Sequence, residues 1–449
     1  MLEKAKRFFR KRIQNVIGSA VLSAIFTRGL TLPIFSKINF QTLIREGYSG
    51  NADVFSIINH ISTVASNIPW IVSEIKDNKA LQTFKNYDQF DHKYINLEEK
   101  ALHQIEDHPL LKVMECPNVL QSGSEWRYNW CGYKLSTGNA FIHGVKPAIG
   151  INKTLIQELH MMPSQFVEIL PGDFMMPIKK YFLNINGQRI PFEPEDVSHS
   201  KYFNPDVQQG QGLFGMSPLQ AAFRTLTSSN DADTARVRAF QNQGAVGMIS
   251  STTGDDVEKM STEELQSLSD AYQDKFGGPE NFNKILFTTG MAKWDNMGLS
   301  PVDLAIMDSK VHDLRTLCSV YSVQSQIFND PENKIASNLK EAKKAAMTDA
   351  VMPLLNSLRD ELNIWLVPAY EKAEGKRLFL SPDWKSVAIL QEDFQRLVSW
   401  LKNAYWITGN QKLRIMGMDE SDDPNMDIVF APANLARLGA GGAPDPPQS

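Results

Sequence analysis

The sequence has little of what most enzyme and metal sites require. Its 449 residues include only three cysteines, too few and too scattered for a disulfide framework or a zinc site: Cys116, Cys131 and Cys318. The histidines show no metal-ligand spacing, and Gly375-Lys376 lacks the upstream glycine of a phosphate-binding loop. We therefore expect no catalytic constellation, no metal and no cofactor.

Two further absences limit the partners. A formal net charge of -5 argues against a tight, sequence-independent DNA binder, although not against a protein that DNA merely passes. No apolar run reaches the length of a membrane span; residues 16–26 are apolar after a basic stretch, but they are too few. That segment resembles a secretory signal without a clear cleavage motif. We interpret residues 1–47 as a basic N-terminal arm, amphipathic or partly disordered.

The N-terminal half of the chain mixes helical and strand patterns, which predicts an α+β fold. A helix is predicted over 51–72 with a stop at Pro69, followed by polar loops with short pieces of structure over 73–107. A second helix starts at Ser124 and carries Trp126 and Trp130, which could stack bases but are more typical of a core. Strands are predicted, with Asn186-Gly187 as a hairpin turn, at 141–145, 166–170, 179–185, 188–192 and 197–202.

The middle of the chain predicts a small head carried on two helices. Ser217-Pro218 opens the first helix, which extends through about Gln241. A β-α-β-β unit follows, with strands at 245–250, 284–289 and 291–296 and a helix at 261–276. Because the second helix starts directly afterwards, at Ser300-Pro301, we expect a stalk with a compact unit at its end.

The helix that starts at Ser300 carries an apolar residue every three or four positions, the spacing by which one helix packs along another. These seam positions are Leu304, Met307, Val311, Leu314, Cys318 and Tyr321. A loop is predicted over 323–336, and a longer helix over 337–367, in which Pro353 removes one backbone donor and predicts a kink near Asp349. An ordinary antiparallel core hairpin would explain the same pattern.

Taken in order, these pieces resemble the portal proteins of tailed bacteriophages, in their HK97-like branch. The likeness rests on short motifs shared in order over about residues 50–435. They are HPL at 108–110 with PN at 117–118, LSTGNA at 135–140, DVSH at 196–199, GMSPLQAA at 215–222, NQGA at 242–245, SNLKEA at 337–342, ITGN at 407–410 and MGM at 416–418. One departure is Gln324-Ser325, where related loops often carry a proline pair.

The resemblance implies a subunit that assembles into a ring, usually of twelve, at one vertex of the capsid. Double-stranded DNA passes through the ring during packaging and ejection. The implied parts are an α/β wing (48–215), stem helix 1 (216–242), a clip (243–300), stem helix 2 (301–322), a tunnel loop (323–336), a kinked helix and wing return (337–383), a helical crown (384–438) and a disordered tail (439–449).

The resemblance also implies partners and a location. The partners are the large terminase, a head–tail connector or neck protein, the major capsid protein and a scaffold, with no membrane. The location is the virion, with the host cytoplasm during assembly. The tunnel loop is expected to lie closest to DNA through Gln324, Ser325, Gln326, Ile327, Asn329, Asn333 and Lys334, and the seam positions are expected to form part of the contact between subunits.

Two readings of other classes stay open at this point. One is a capsid-associated enzyme, a nuclease or protease, whose site the sequence does not reveal. The other is a membrane-associated pore, suggested by the basic and apolar N-terminus.

Overall fold

The computed structural model describes residues 40–77, 79, 81, 101–149, 153–173, 176–206, 212–241, 247–251, 292–296, 306–328, 330, 336–416 and 421–429. These residues form two compact units. The first contains the described residues within Met1–Ala65, Glu125–Gly144 and His160–Leu354, and the second those within Ser66–Ser124, Val145–Leu159 and Leu355–Ser449. The predicted arm (up to residue 39), the clip helix and strand at 261–276 and 284–289, and the tail at 439–449 lie outside the described residues.

Helices and strands follow one another in runs along the described chain. In chain order the elements are α1 (Ala52–Ser66), β1 (Trp70–Ile75), β2 (Leu102–Ile105), α2 (Pro109–Glu115), α3 (Gly123–Thr137), β3 (Asn139–Val145), β4 (Glu158–Met162), β5 (Val167–Pro171), β6 (Ile178–Ile185), β7 (Gln188–Phe192), β8 (Val197–Lys201), α4 (Pro218–Ala221), α5 (Phe223–Gln241), β9 (Gly247–Ser251), β10 (Ala292–Asn296), α6 (Ile306–Val320), α7 (Ala336–Ala346), α8 (Met352–Trp365), α9 (Val367–Glu374), β11 (Leu378–Pro382), α10 (Ala388–Asn403) and α11 (Gly409–Met416). A short α-helical turn, Phe40–Thr42, two π-helices, Leu43–Tyr48 and Met347–Val351, and several short 3-10 helices complete the set.

The described strands of the first unit form sheets in the orders β4-β3-β8, β5-β6-β7 and β10-β9. The predicted hairpin is confirmed: β6 pairs antiparallel with β7, and Asn186 and Gly187 have positive φ values of 52° and 76°. The strand β4 was missed by the sequence analysis, because Glu158–Met162 mixes polar and apolar residues without a clear alternation. The fold is α+β, as predicted.

The core of the first unit includes the aromatic face of α3. Trp126 and Trp130 are fully buried, so they pack inside the protein and are not available to stack bases. Phe141 of β3 stacks on His199 of β8, with 4.1 Å between the ring centroids. Burial lowers the pKa of His199 well below its usual value, with smaller contributions from Lys201 and Lys134, so this imidazole is a neutral core group.

The structure corrects the helix and loops predicted over residues 51–107. The helix α1 ends at Ser66, and Trp70–Ile75, part of which was assigned to the helix, is the strand β1. This strand lies between β11 and β2, both antiparallel to it, and its register with β11 runs from Trp70↔Pro382 to Glu74↔Leu378. Pro69 ends the helical pattern, and pairing with a strand about 300 positions later in the chain then decides the conformation.

Two further predictions concern long helices. The predicted stem helix 1 (216–242) is divided at Ala222 into α4 and α5, because Ala222 leaves helical geometry. The predicted long helix (337–367) leaves α geometry over Met347–Val351, where Met352 N–H bonds to the Met347 carbonyl five residues back. Pro353 follows directly and cannot donate to Asp349. The kink itself stays a prediction.

Candidate functional site: the paired stem helices and the following loop

The described parts of the two predicted stem helices, α5 and α6, pack against each other through polar contacts. Ser228 Oγ of α5 donates to Asp313 Oδ2 of α6 at 3.0 Å, and Asp313 is buried. Lys310 Nζ of α6 donates to Asp233 Oδ2 of α5 at 2.6 Å and lies 3.7 Å from Asp53 Oδ2 of α1. The two helices are therefore held together by ion pairs and a hydroxyl–carboxylate hydrogen bond in addition to the burial of apolar side chains.

A buried joint fixes the segment that leads into these helices. Gly215 N donates to Asn139 Oδ1 at 2.6 Å, and Asn139 Nδ2 donates to the Gly215 carbonyl at 3.0 Å. Gly138 has φ 77°, and a Cβ on Gly138 or Gly215 would overlap backbone atoms of the other segment. Two motifs of the sequence analysis, LSTGNA at 135–140 and GMSPLQAA at 215–222, thus meet at a close backbone approach.

The same joint starts α4. Ser217 Oγ accepts a hydrogen bond from Leu219 N at 3.1 Å and donates to the Ser136 carbonyl at 2.7 Å, and Pro218 occupies the first helical turn. Ser217 is therefore a helix cap, as its sequence context indicates.

The predicted seam positions of α6 fall into different environments. Val311 and Leu314 are half-buried. Cys318 and Tyr321 are buried inside the chain, and Tyr321 donates from its hydroxyl to the Leu135 carbonyl at 3.1 Å. For these two residues the prediction of a contact between subunits is corrected, because their side chains already pack within the subunit. Leu304 and the side chain of Met307 lie outside the described part of the structure.

The described start of the predicted tunnel loop is ordered by a 3-10 helix, Ser325–Phe328. Gln324 is exposed, whereas Ser325, Gln326 and Ile327 are half-buried. Phe328 contacts His60 of α1 edge-on, with 5.7 Å between the ring centroids. Asn329, Asn333 and Lys334 lie outside the residues that the structure covers.

A partly exposed ion pair, of which only the carboxylate is fully buried, ties this loop to α6. Arg315 Nε donates to Asp330 Oδ2 at 2.7 Å and Arg315 Nη2 donates to Asp330 Oδ1 at 2.9 Å, which is the bidentate geometry of a guanidinium on a carboxylate. Ser325 Oγ adds a bond to Asp330 Oδ2 at 2.7 Å. The Asp330 side chain has no exposed surface, while 37% of the Arg315 side chain is exposed. The sequence analysis missed this pair, since no local pattern links positions 15 residues apart.

Two titratable groups border the loop. Partial burial lowers the pKa of His60, and the nearby Lys343 ammonium lowers it further, so His60 is neutral at pH 7. Burial raises the pKa of the Cys318 thiol to about 12, with smaller contributions from the Asp53 and Asp330 carboxylates. A thiol with this pKa is not a nucleophile at neutral pH.

Neither a cluster of metal-ligating side chains nor a helix able to span a membrane occurs in the described ranges. Among these residues there is no group of three or more His, Cys, Asp or Glu side chains that could hold a metal ion. None of the described helices combines the length and the apolar content needed to cross a bilayer. His312, the histidine on α6, is exposed.

A similar sequence and a similar solved structure each match most of this chain. An uncharacterized protein of Rickettsia bellii (strain RML369-C) is 22% identical over 382 residues, which cover 84% of this chain and 89% of that protein. A chain from the neck of an empty gene transfer agent (GTA) particle, computed with C6 symmetry, is 22% identical, with a TM-score of 0.62 over 89% of this chain and 99% of its own.

A crystal structure of an HK97 family phage portal protein from Corynebacterium diphtheriae is similar over 78% of this chain and 96% of its own, with 14% identity and a TM-score of 0.50. These structural likenesses show a shared fold. The model of the phage portal protein family matches residues 52–417. Because this match extends over most of the sequence, the chain belongs to the phage portal protein family.

Proposed function

We propose that this chain is the subunit of a portal ring, which forms the channel at one capsid vertex through which double-stranded DNA is packaged and ejected. The observation that carries the proposal is the family match over residues 52–417. The similar GTA neck structures were computed with C6 and C12 symmetry, which supports a ring of identical subunits, usually of twelve. A virion location follows from the same likeness to a GTA particle.

We infer that the loop at 323–336 is the closest approach of the subunit to DNA. Its described start follows the end of α6, and Asp330 of the loop accepts two hydrogen bonds from Arg315 of that helix, which supports a position of the loop beside α6. Gln324 is exposed and uncharged, and it could touch a phosphate backbone only weakly. Weak contacts suit a channel, since every fixed cation adds affinity that must be broken as DNA advances.

Ring closure requires a heterologous interface, in which two different faces of each subunit meet. We propose that Val311 and Leu314 supply part of one face, because the contacts of α6 with α5 leave both half-buried. The other face is proposed to include Phe223 and Val237 of α5, large apolar side chains that are 42% and 50% exposed. Burial of these side chains against a neighbouring copy would remove apolar surface from water.

The replacement of both Val311 and Leu314 by Asp tests this interface. We expect the double variant to keep its helical content, measured by circular dichroism, but to lose rings in negative-stain images, because two carboxylates would be buried at each contact. The matched control replaces Ser309 and Ser319, exposed residues of the same helix, by Asp. Rings in the Val311/Leu314 variant as abundant as in the control would refute the interface.

The remaining partners are proposed from family membership. The clip, of which the antiparallel pair β9-β10 is described, is expected to dock the large terminase during packaging and a head–tail connector or neck protein afterwards. The major capsid protein and a scaffold are expected to contact other surfaces. The subunit is proposed to assemble in the host cytoplasm.

The first experiment on the proposed function is the mass and shape of the purified protein, by light scattering and negative-stain images. We expect rings with a central hole. An incubation of the same sample with linear DNA and Mg²⁺ tests the alternative of a capsid-associated nuclease. A compact monomer that cleaves DNA would overturn the portal assignment.

A further inference from the structure

The described part of α6 carries two fixed cations, Lys310 and Arg315, and both are paired with carboxylates from other segments. Lys310 donates to Asp233 of α5 at 2.6 Å, and Arg315 makes its two bonds to Asp330. The positive charges of these two side chains are thus each neutralised by a carboxylate within the subunit.

The two pairs differ in what holds the carboxylate. Asp233 lies on α5, which packs along α6, so the Lys310 partner moves only if the helices separate. Asp330 lies in the loop beyond the 3-10 helix, and the Ser325 hydroxyl also holds it from that loop. Movement of this loop would therefore carry the carboxylate away, while Arg315, already 37% exposed, would stay on the helix.

A guanidinium binds carboxylates and phosphates through the same planar fork of donors. Asp330 and a DNA phosphate would therefore compete for the same Nε and Nη2 hydrogens of Arg315. We propose that Asp330 is the internal counter-anion of Arg315: with the loop in place the guanidinium is withheld from DNA, and displacement of the loop turns this point of the wall into a phosphate contact. The proposal rests on the proposed function of the loop as part of the channel.

The test measures how rings of full-length protein retain a linear DNA duplex at increasing salt. Asp330→Asn should retain the duplex more strongly at low salt and show a steeper salt dependence. Each added phosphate contact should steepen the slope of the logarithm of the binding constant against the logarithm of the salt concentration by about 0.9. This change corresponds to about a 3.5-fold difference in affinity between 50 and 200 mM salt. Arg315→Gln combined with Asp330→Asn should return retention to the wild-type level. Asp360→Asn is the matched control, since it makes the same change in charge at Asp360, whose carboxylate is 56% exposed and pairs with Arg359.

A covalently closed circular duplex of the same length locates the contact, because it cannot thread a closed ring. A gain of retention by Asp330→Asn on linear but not circular DNA is the expected result. An equal gain on both would place Arg315 on an outer surface and overturn the proposal together with the assignment of the loop to the channel. If the Asp330→Asn rings bind linear DNA no better than the Asp360→Asn rings, masking is refuted while the portal function stands. Wild-type protein that forms no rings would instead contradict the proposed function itself.

Asp330→Asn could also prevent assembly, since it changes a buried group. Ser325→Ala then provides the second variant, because it removes one bond to Asp330 and leaves every charge in place. We expect a smaller gain in retention of the linear duplex, again abolished by Arg315→Gln. Wild-type retention by the Ser325→Ala rings would overturn the proposal.

Discussion

Two side chains of this protein each hold a distant segment by several hydrogen bonds, but their chemistry is opposite. Asn139, a neutral and fully buried amide, binds both the N–H and the carbonyl of Gly215. Asp330, a buried carboxylate, binds the partly exposed Arg315 and the hydroxyl of Ser325. The first joins the backbones of two segments, and the second joins the loop after α6 to that helix.

The difference teaches which connection can open. At the Asn139 joint the polar groups are buried. Separation of the two segments would therefore leave several buried donors and acceptors without partners and would open a gap between the backbones. At the Asp330 pair the guanidinium reaches solvent and could exchange its partner for water or another anion. We therefore interpret the first as a fixed joint and the second as a releasable one. The four predictions below test this contrast.

The largest effect is expected from Gly215→Ala. A Cβ at this position would overlap the Gly138 carbonyl oxygen, so the two segments could not approach. We expect a loss of about 3 kcal/mol or more in the free energy of unfolding, measured by chemical denaturation. Gly132→Ala, on α3, is the control, because a Cβ at this position would meet no neighbouring atom within 4 Å. That variant should be unchanged or more stable by up to about 1 kcal/mol. Equal stability of the two variants would show that the joint is not closely packed.

Removal of the amide should have the next effect. Asn139→Ala leaves the Gly215 N–H and carbonyl without partners in a buried site. The expected cost is about 2–4 kcal/mol, with little change upon addition of salt, since no ionised group is involved. The control Asn425→Ala removes an exposed amide and should stay within about 0.5 kcal/mol of the wild type. A strong salt dependence of the Asn139→Ala cost would contradict the neutral joint.

Arg315→Gln should be less costly and sensitive to salt. The Asp330 carboxylate would keep the Ser325 bond but lose its bidentate partner, for which we expect about 1.5–3 kcal/mol at low salt. Added salt should reduce this difference, because the wild-type pair is partly exposed. Arg45→Gln, at the exposed Arg45–Glu46 pair, should change stability by about 0–0.5 kcal/mol. If Arg315→Gln lowers the free energy of unfolding no more than Arg45→Gln does, the Arg315–Asp330 pair does not hold the loop to α6.

The smallest effect concerns pH. The pKa of His60 is lowered in the folded protein, so the unfolded chain binds the proton more readily. Stability contributed by neutral His60 is therefore full above the unfolded pKa of about 6.5 and is lost as the pH falls below it. We expect wild-type protein to lose more stability from pH 7 to 5 than His60→Gln. The control His312→Gln, at an exposed histidine, should follow the wild type. Identical profiles of wild type and His60→Gln would contradict the prediction.

Local signals allowed much of the fold to be predicted. Ser217-Pro218 at the start of α4 and Asn186-Gly187 between β6 and β7 act through their own backbone preferences, and the structure confirms both. The helix α3 begins at Gly123, one residue before its predicted start at Ser124, and His108 accepts from Leu110 N and so caps α2. The order of short motifs was sufficient to identify the portal resemblance, which the family match confirms.

Tertiary structure decided what depends on distant partners. Residues 70–75 are a strand because β11 pairs with them, although the sequence analysis assigned 70–72 to the end of a helix and 73–75 to a loop. Asn139 and Gly215 are 76 positions apart in the sequence, and Arg315 and Asp330 are 15 apart. No sequence periodicity predicts either contact. Cys318 and Tyr321 share the spacing of Val311 and Leu314, yet they are buried within the chain, because heptad spacing specifies a helix face and not the partner that covers it. Backbone preferences depend on neighbouring residues and can be predicted from the sequence. Contacts between distant residues depend on how the whole chain packs, so only the tertiary structure decides them.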